Sequence, residues 1–159
     1  MKNFKFNKVF LFILIFNFLS GCGYQPLFDV KNQKFSIKKF ELEGNKRLGS
    51  LLKNNLITSS KEGNNLTITI KANKKNVIAN KSDTGKVLEY SVSLNFEITA
   101  TEYEKNEIVL SGVYSREQNY VAAEVHLDTL NSEKKAMENM IEAIANEILI
   151  SLTSIYQNK

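Results

Sequence analysis

The stretch LEYSVSLNFEITAT, residues 88–101, alternates apolar and polar side chains without a break. Leu88, Tyr90, Val92, Leu94, Phe96, Ile98 and Ala100 fall on one side; Glu89, Ser91, Ser93, Asn95, Glu97, Thr99 and Thr101 fall on the other. Successive strand residues point to opposite faces, so this pattern predicts a long strand with one buried face and one wet face. Such a strand needs neighbours. Upstream, Lys81-Ser-Asp-Thr-Gly-Lys86 is a turn signal, with Gly85 able to take positive φ. Before it, Leu66, Ile68, Ile70 and Ala72 alternate with polar residues, and this strand is expected to continue past Lys74-Lys75 into Val77-Ile78. Downstream, Glu104–Glu107 turns the chain, and Ile108–Tyr114 returns as a hairpin partner.

A fourth strand lies earlier, where Phe35, Ile37, Phe40 and Leu42 alternate with one slip at Lys38-Lys39 that predicts a bulge. Gly44 ends it, and Asn45 is placed to cap a helix whose Leu48, Leu51, Leu52 and Leu56 share a face, with Gly49 a weak point inside. The polar run Ser59–Asn64 closes that helix. At the other end, Met137, Ile141, Ile144, Ile148, Leu152 and Ile155 recur at helical spacing, predicting a helix over about residues 130–156. The order is β-α-β-β-β-α. Two helices with one apolar stripe each cover one face of a four-stranded, mainly antiparallel sheet, an α+β fold.

The first 33 residues read differently. Lys2, Lys5 and Lys8 precede an apolar run from Val9 to Leu19 interrupted only by Asn17. A positive start followed by a short apolar core is a secretory signal, and it is short for a membrane span. An uncleaved anchor lengthened by Phe4 and Phe6 is the alternative on length alone. The next residues, Leu19-Ser20-Gly21-Cys22, resemble the lipobox of bacterial lipoproteins. That resemblance implies cleavage between Gly21 and Cys22, acylation of the Cys22 sulfur, and often acylation of the new amine. Two or three acyl chains anchor stably where one is marginal. Gly23, where an aspartate favours inner-membrane retention in many lipoproteins, implies sorting to the outer membrane, on its periplasmic side. The expected divisions are therefore a signal peptide over 1–21, a lipidated tether over 22–33 that includes Pro26, and a single domain over 34–159.

Composition supports this division. The net charge of +4 invites a reading as a nucleic-acid binder, but removal of the three leader lysines leaves 18 basic residues against 17 acidic ones. No nucleic-acid partner is expected. Catalytic or cofactor chemistry finds no set of residues either. Cys22 is the only cysteine and His126 the only histidine, which leaves no metal site and no Cys/His couple. A triad would need His126, with Asp128 the nearby acid, yet the chain has no Gly-x-Ser-x-Gly elbow. Glu102 and Glu104 flank a turn beside Lys105 and read as solvated. The pairs Lys38-Lys39, Lys74-Lys75 and Lys134-Lys135 can contact phosphates as point charges, although solvated faces explain them more simply. A non-enzyme without a cofactor is the expectation.

Over about 130 residues the mature chain resembles the lipopolysaccharide-assembly lipoproteins, the LptE (RlpB) family. The resemblance is carried by Gly21-Cys-Gly-Tyr-Gln-Pro-Leu27, by Asp83-Thr-Gly-Lys-Val-Leu-Glu-Tyr90, by Val113-Tyr-Ser-Arg-Glu-Gln-Asn-Tyr120 with Ala122-Ala123, and by the closing helix. It implies a non-catalytic partner that plugs and helps assemble the LptD-type outer-membrane β-barrel, assisting lipopolysaccharide delivery to the outer leaflet. It further implies lipopolysaccharide contacts from basic residues near the turn and on the last helix. Here those are Lys81 and Lys86, and Lys134 and Lys135, with Asp83 and Glu138 standing where bases are expected. A stand-alone periplasmic lipoprotein that binds a ligand or acts as an inhibitor is the alternative.

Overall fold

In the computed structural model, residues 34–57 and 63–157 are described; the expected signal peptide and tether lie outside them. The long alternating stretch forms β3 (Val87–Glu102), flanked by β2 (Asn64–Lys81) and β4 (Glu107–Val121), both antiparallel to it. A first strand, β1 (Phe35–Gly44), pairs parallel with the outer side of β2, giving the sheet order β1-β2-β3-β4. Parallel pairing requires a crossover, and helix α1 (Lys46–Leu56) supplies it. The last element, α2 (His126–Gln157), packs beside α1 and across β3 and β4. Both helices cover the same sheet face, as the sequence pattern predicts.

That face holds the core. Val92, Leu94, Phe96, Ile98 and Ala100 of β3 are at most 1% exposed, as are Leu66, Ile68, Ile70 and Ala72 of β2. From α2 come Met140, Ile141, Ile144, Ala145, Ile148 and Leu152, and from α1 come Leu48, Leu52 and Leu56. The first members of the β3 row differ: Leu88 is exposed and Tyr90 half-buried. They lie opposite β2 residues beyond Ala72, where β1 has ended.

The slip in β1 is a bulge. Ile37 pairs with Leu66 and Lys39 with Thr67, so Lys38 is the extra residue. Side chains alternate every residue, so without this insertion Phe40 and Leu42 would face away from the core. Asn45 caps α1 as expected, its Oδ1 accepting from the Leu48 amide at 3.1 Å.

Four expectations change. Leu51 is exposed, because the face of α1 turned to the sheet runs through Leu48, Gly49, Leu52 and Leu56. Gly49 is a packing position as well as a weak helix former: a Cβ there would lie 3.4 Å from Leu42 Cδ2 and 3.7 Å from Ile70 Cγ2. Strand β4 runs seven residues past Tyr114, to Val121. Arg116 and Gln118 occupy core-side positions there, which erased the period of two; Arg116 is accommodated by an ion pair to Glu147 of α2 at 2.6 Å. Finally, α2 begins at His126, about four residues before the expected start; Leu127 and Leu130 are exposed there, so its first turn buries no apolar side chain.

Two glycines of α1 and its approach should respond oppositely to the same change. Gly44 has φ +66°, and an added Cβ would sit 2.6 Å from the Ala72 carbonyl oxygen. Gly44→Ala should lower the unfolding free energy by about 1–3 kcal/mol through backbone strain. Gly49→Ala should raise it by about 0.5–1 kcal/mol, since the methyl makes ordinary contacts and the unfolded chain loses freedom. Urea unfolding of both variants reads the two signs. Ile144→Ala, at a fully buried position, should cost about 2–5 kcal/mol.

Candidate interaction surface

The face of the sheet turned away from the helices is polar and hydrogen-bonded across strands. Ser91 Oγ donates to Glu117 Oε1 at 2.6 Å, and Asn95 Nδ2 donates to Ser115 Oγ at 2.7 Å. Lys71 and Glu97, directly opposite in register, form an ion pair at 3.0 Å. At the β1 edge, Thr69 Oγ1 donates to Glu41 Oε2 at 3.3 Å, while Lys39 pairs with Glu41 at 2.7 Å. Exposed ion pairs of this kind contribute little to stability. What they set is the character of the face: short polar side chains held in rows, suited to contact with another hydrated surface. Val113, Val121 and Ile108 are the exposed apolar residues on its β4 margin.

The candidate bases occupy two places. Lys81 and Lys86 flank the β2–β3 turn, closed by Ser82 N to Lys86 O at 2.8 Å and Gly85 N to Ser82 O at 2.9 Å. Gly85 takes φ +84° there, as the turn signal predicts. Lys86 lies 3.7 Å from Glu124, both side chains exposed. Lys134 lines a groove of about 570 Å³ between α1, α2 and β2, with Arg47, Leu48, Leu51, Lys74, Leu130 and Met137. It also lies 3.7 Å from Glu138 on its own helix. Lys135 is exposed beside it. The seven residues from Lys74 to Lys81 span about 23 Å of strand, so the groove and the turn are separate contact points. Gly21, Cys22 and Gly23 lie outside the described residues.

The polar residue that sequence reasoning missed is Glu133. Its side chain is 12% exposed, and its Oε1 accepts from Lys74 Nζ at 2.7 Å and from Asn76 Nδ2 at 2.8 Å. Asn76 also donates to the Tyr120 hydroxyl at 3.5 Å. Burial, the largest single influence, pushes the Glu133 carboxyl up. The hydrogen bonds from Lys74 and Asn76, with the Lys74 charge and Tyr120, outweigh it and hold the carboxyl below its ordinary value. Burial and the nearby Glu133 charge push the Tyr120 phenol up. Glu133 stands three residues after Leu130 and four before Met137, and an acid on that stripe was the available signal.

The residues weighed for catalysis are dispersed. His126 and Asp128 are exposed on the first turn of α2, two residues apart and therefore not on one face. Glu102 differs from its expected solvated state: it is 3% exposed and pairs with Lys105 at 3.2 Å, while Glu104 is exposed on the turn. Among the described residues no group of histidine, cysteine, aspartate and glutamate is placed to hold a metal ion.

The Glu133 cluster carries a pH prediction. A carboxyl whose folded pKa lies below its unfolded value stabilises the fold above the unfolded pKa, near 4.5, and loses that contribution as pH falls through the folded pKa. Glu133→Gln should therefore cost about 1–3 kcal/mol at pH 7, and the difference from the parent protein should shrink as the pH falls below 4.5 and through the folded pKa. Urea unfolding across pH 3–7 measures it.

No protein-family model matches the chain, and no curated protein does either. Solved structures do. Rare lipoprotein B from Shewanella oneidensis superposes with a TM-score of 0.54 at 17% identity, over 76% of this chain and 98% of that one. Lipoprotein B from Nitrosomonas europaea gives a TM-score of 0.59 at 14% identity, over 86% and 94%. A lipoprotein from Caulobacter crescentus gives 0.58 at 14% identity, over 77% and 92%. Each of these likenesses spans nearly the whole of the matched chain. The protein has the fold of rare lipoprotein B, the LptE fold.

Proposed function

We propose that this protein is a lipid-anchored outer-membrane component that plugs and helps assemble an LptD-type β-barrel, and so supports lipopolysaccharide delivery to the outer leaflet. The observation that carries the reading is the coincidence of a lipobox ending at Cys22 with the rare lipoprotein B fold. The polar sheet face fits it physically. Lumens of large barrels are hydrated or plugged, and a plug needs a surface of satisfied polar groups there. Asn95, Ser115, Glu117, Lys71 and Glu97 provide one, with the buried Ser91 holding Glu117 in place. Lys81 and Lys86 at the turn, and Lys134 and Lys135 on α2, are the proposed contacts for lipopolysaccharide phosphates. Their separation suits a large polyanion met at two points rather than a small ligand held in one pocket.

The groove between α1 and α2 favours a second reading, a stand-alone periplasmic protein that binds a ligand there. Co-purification separates the two. Tagged protein extracted from outer membranes in mild detergent should bring down a large heat-modifiable β-barrel in about equal amount. Recovery of a monomer alone would favour the groove reading. For the anchor, Cys22→Ala should leave an unprocessed precursor that takes up no radiolabelled palmitate; continued labelling would sink the lipobox assignment.

A further inference from the structure

The sheet has a step in its outer edge. Strand β1 pairs with β2 only as far as Gly44 opposite Ala72, and the Asn45 amide bonded to the Ala72 oxygen at 2.8 Å closes the ladder. There β1 turns away into α1. Strand β2 continues for nine residues, Asn73 to Lys81, paired with β3 on one side and, among the described residues, with no strand on the other. Every residue of that segment is exposed. At about 3.3 Å per residue the open edge is roughly 30 Å long, longer than an ordinary strand. Its backbone donors and acceptors on the vacant side form a template for another chain.

Two features say what kind of chain fits. The groove of about 570 Å³ adjoins the step and is floored by Leu48, Leu51, Leu130 and Met137, with Leu51 and Leu130 exposed. An added strand would turn alternate side chains toward that floor. Charge gives the second. Arg47, Lys75 and Lys81 line the step and its edge and have no ion-pair partner among the described residues, whereas Lys74 is taken by Glu133. Like charges on facing strands oppose pairing, so these cations disfavour a second copy of the same edge. The register shifts at Ile78–Asn80 and Asn80–Lys81 act in the same direction. An acidic strand meets no such charge penalty, and the edge before Ile78 is regular.

We propose that the Asn73–Lys81 edge of β2 accepts an extended acidic segment of another polypeptide as a fifth strand, in the position that β1 vacates at Gly44. Backbone hydrogen bonds supply the attraction, alternate apolar side chains fill the groove, and glutamates or aspartates on the opposite face meet Lys75 and Lys81, which pair with the polar-side residues Ser93 and Val87. This inference shares Lys81 with the proposed lipopolysaccharide contacts and the groove with the second reading, and its peptide test needs neither a barrel nor lipopolysaccharide.

The test is amide hydrogen exchange of the full acylated chain in detergent micelles. It uses a capped octapeptide of alternating glutamate and valine, with a lysine–valine octapeptide as control. With the acidic peptide in excess, alternate amides within residues 73–81 should exchange at least tenfold more slowly, while the lysine peptide changes nothing. The double variant K75E/K81E, altered only at exposed positions, should lose that protection and keep its unfolding midpoint. Three results would overturn the proposal. The acidic peptide could leave exchange unchanged. Both peptides could protect equally, which would mark a merely sticky edge. Or the amides could be protected before any peptide is added, which would mean the edge is already filled by residues 23–33 or by a second copy.

Discussion

The apolar side of β3 sits between two flanking strands and beneath the helices, with Phe96 and Ala100 showing no surface at all. This burial constrains every other element. Strand β2 must place Leu66, Ile68, Ile70 and Ala72 on the same side to extend the floor, and it does so through unbroken antiparallel register with β3 from Leu66 to Ile78. Strand β1 can join only if its apolar residues face the same way, and the Lys38 bulge is the device that permits it. The helices then close the layer, since a single sheet with one apolar face is not stable in water.

Polar interactions divide by burial into two kinds. On the open face, Lys39–Glu41 and Lys71–Glu97 are about half exposed and contribute little free energy. They govern what the face can touch. On the helix side, Glu133 is largely shielded and joins α2 to β2 through Lys74 and Asn76, so that loss of either partner leaves a shielded carboxylate with a single donor. Arg116 with Glu147 joins α2 to β4 in a more exposed setting. The long helix is thus tied to the sheet at both flanks of its apolar seam, which fixes the groove walls as well as the core.

The candidate site was legible in parts that have different physical origins. The anchor reading rests on a linear motif around Cys22, because processing enzymes act on an extended peptide and local sequence suffices. The turn bearing Lys81 and Lys86 was legible because Gly85 and its polar neighbours dictate a local backbone conformation. Glu133 was missed because its partners, Lys74 and Asn76, are about sixty residues away in sequence. Glu102 looked like a solvated turn residue for a related reason: its burial comes from where the sheet end packs, and no local pattern encodes it.

The sequence by itself determined the period of each element, the bulge, the Asn45 cap, the β2–β3 turn and hence the α+β class. Those are consequences of side-chain alternation and local backbone chemistry, which operate over a few residues. Tertiary structure alone decided how far each element runs and what lies beside it. It extended β4 past Tyr114 by giving Arg116 a partner on α2, and it turned Leu51 outward by the angle at which α1 meets the sheet. It also ended β1 opposite Ala72 while β2 ran on, leaving the stepped edge and its groove. Relative strand lengths depend on where a chain must turn to cover a shared core, and residues distant in sequence set that point.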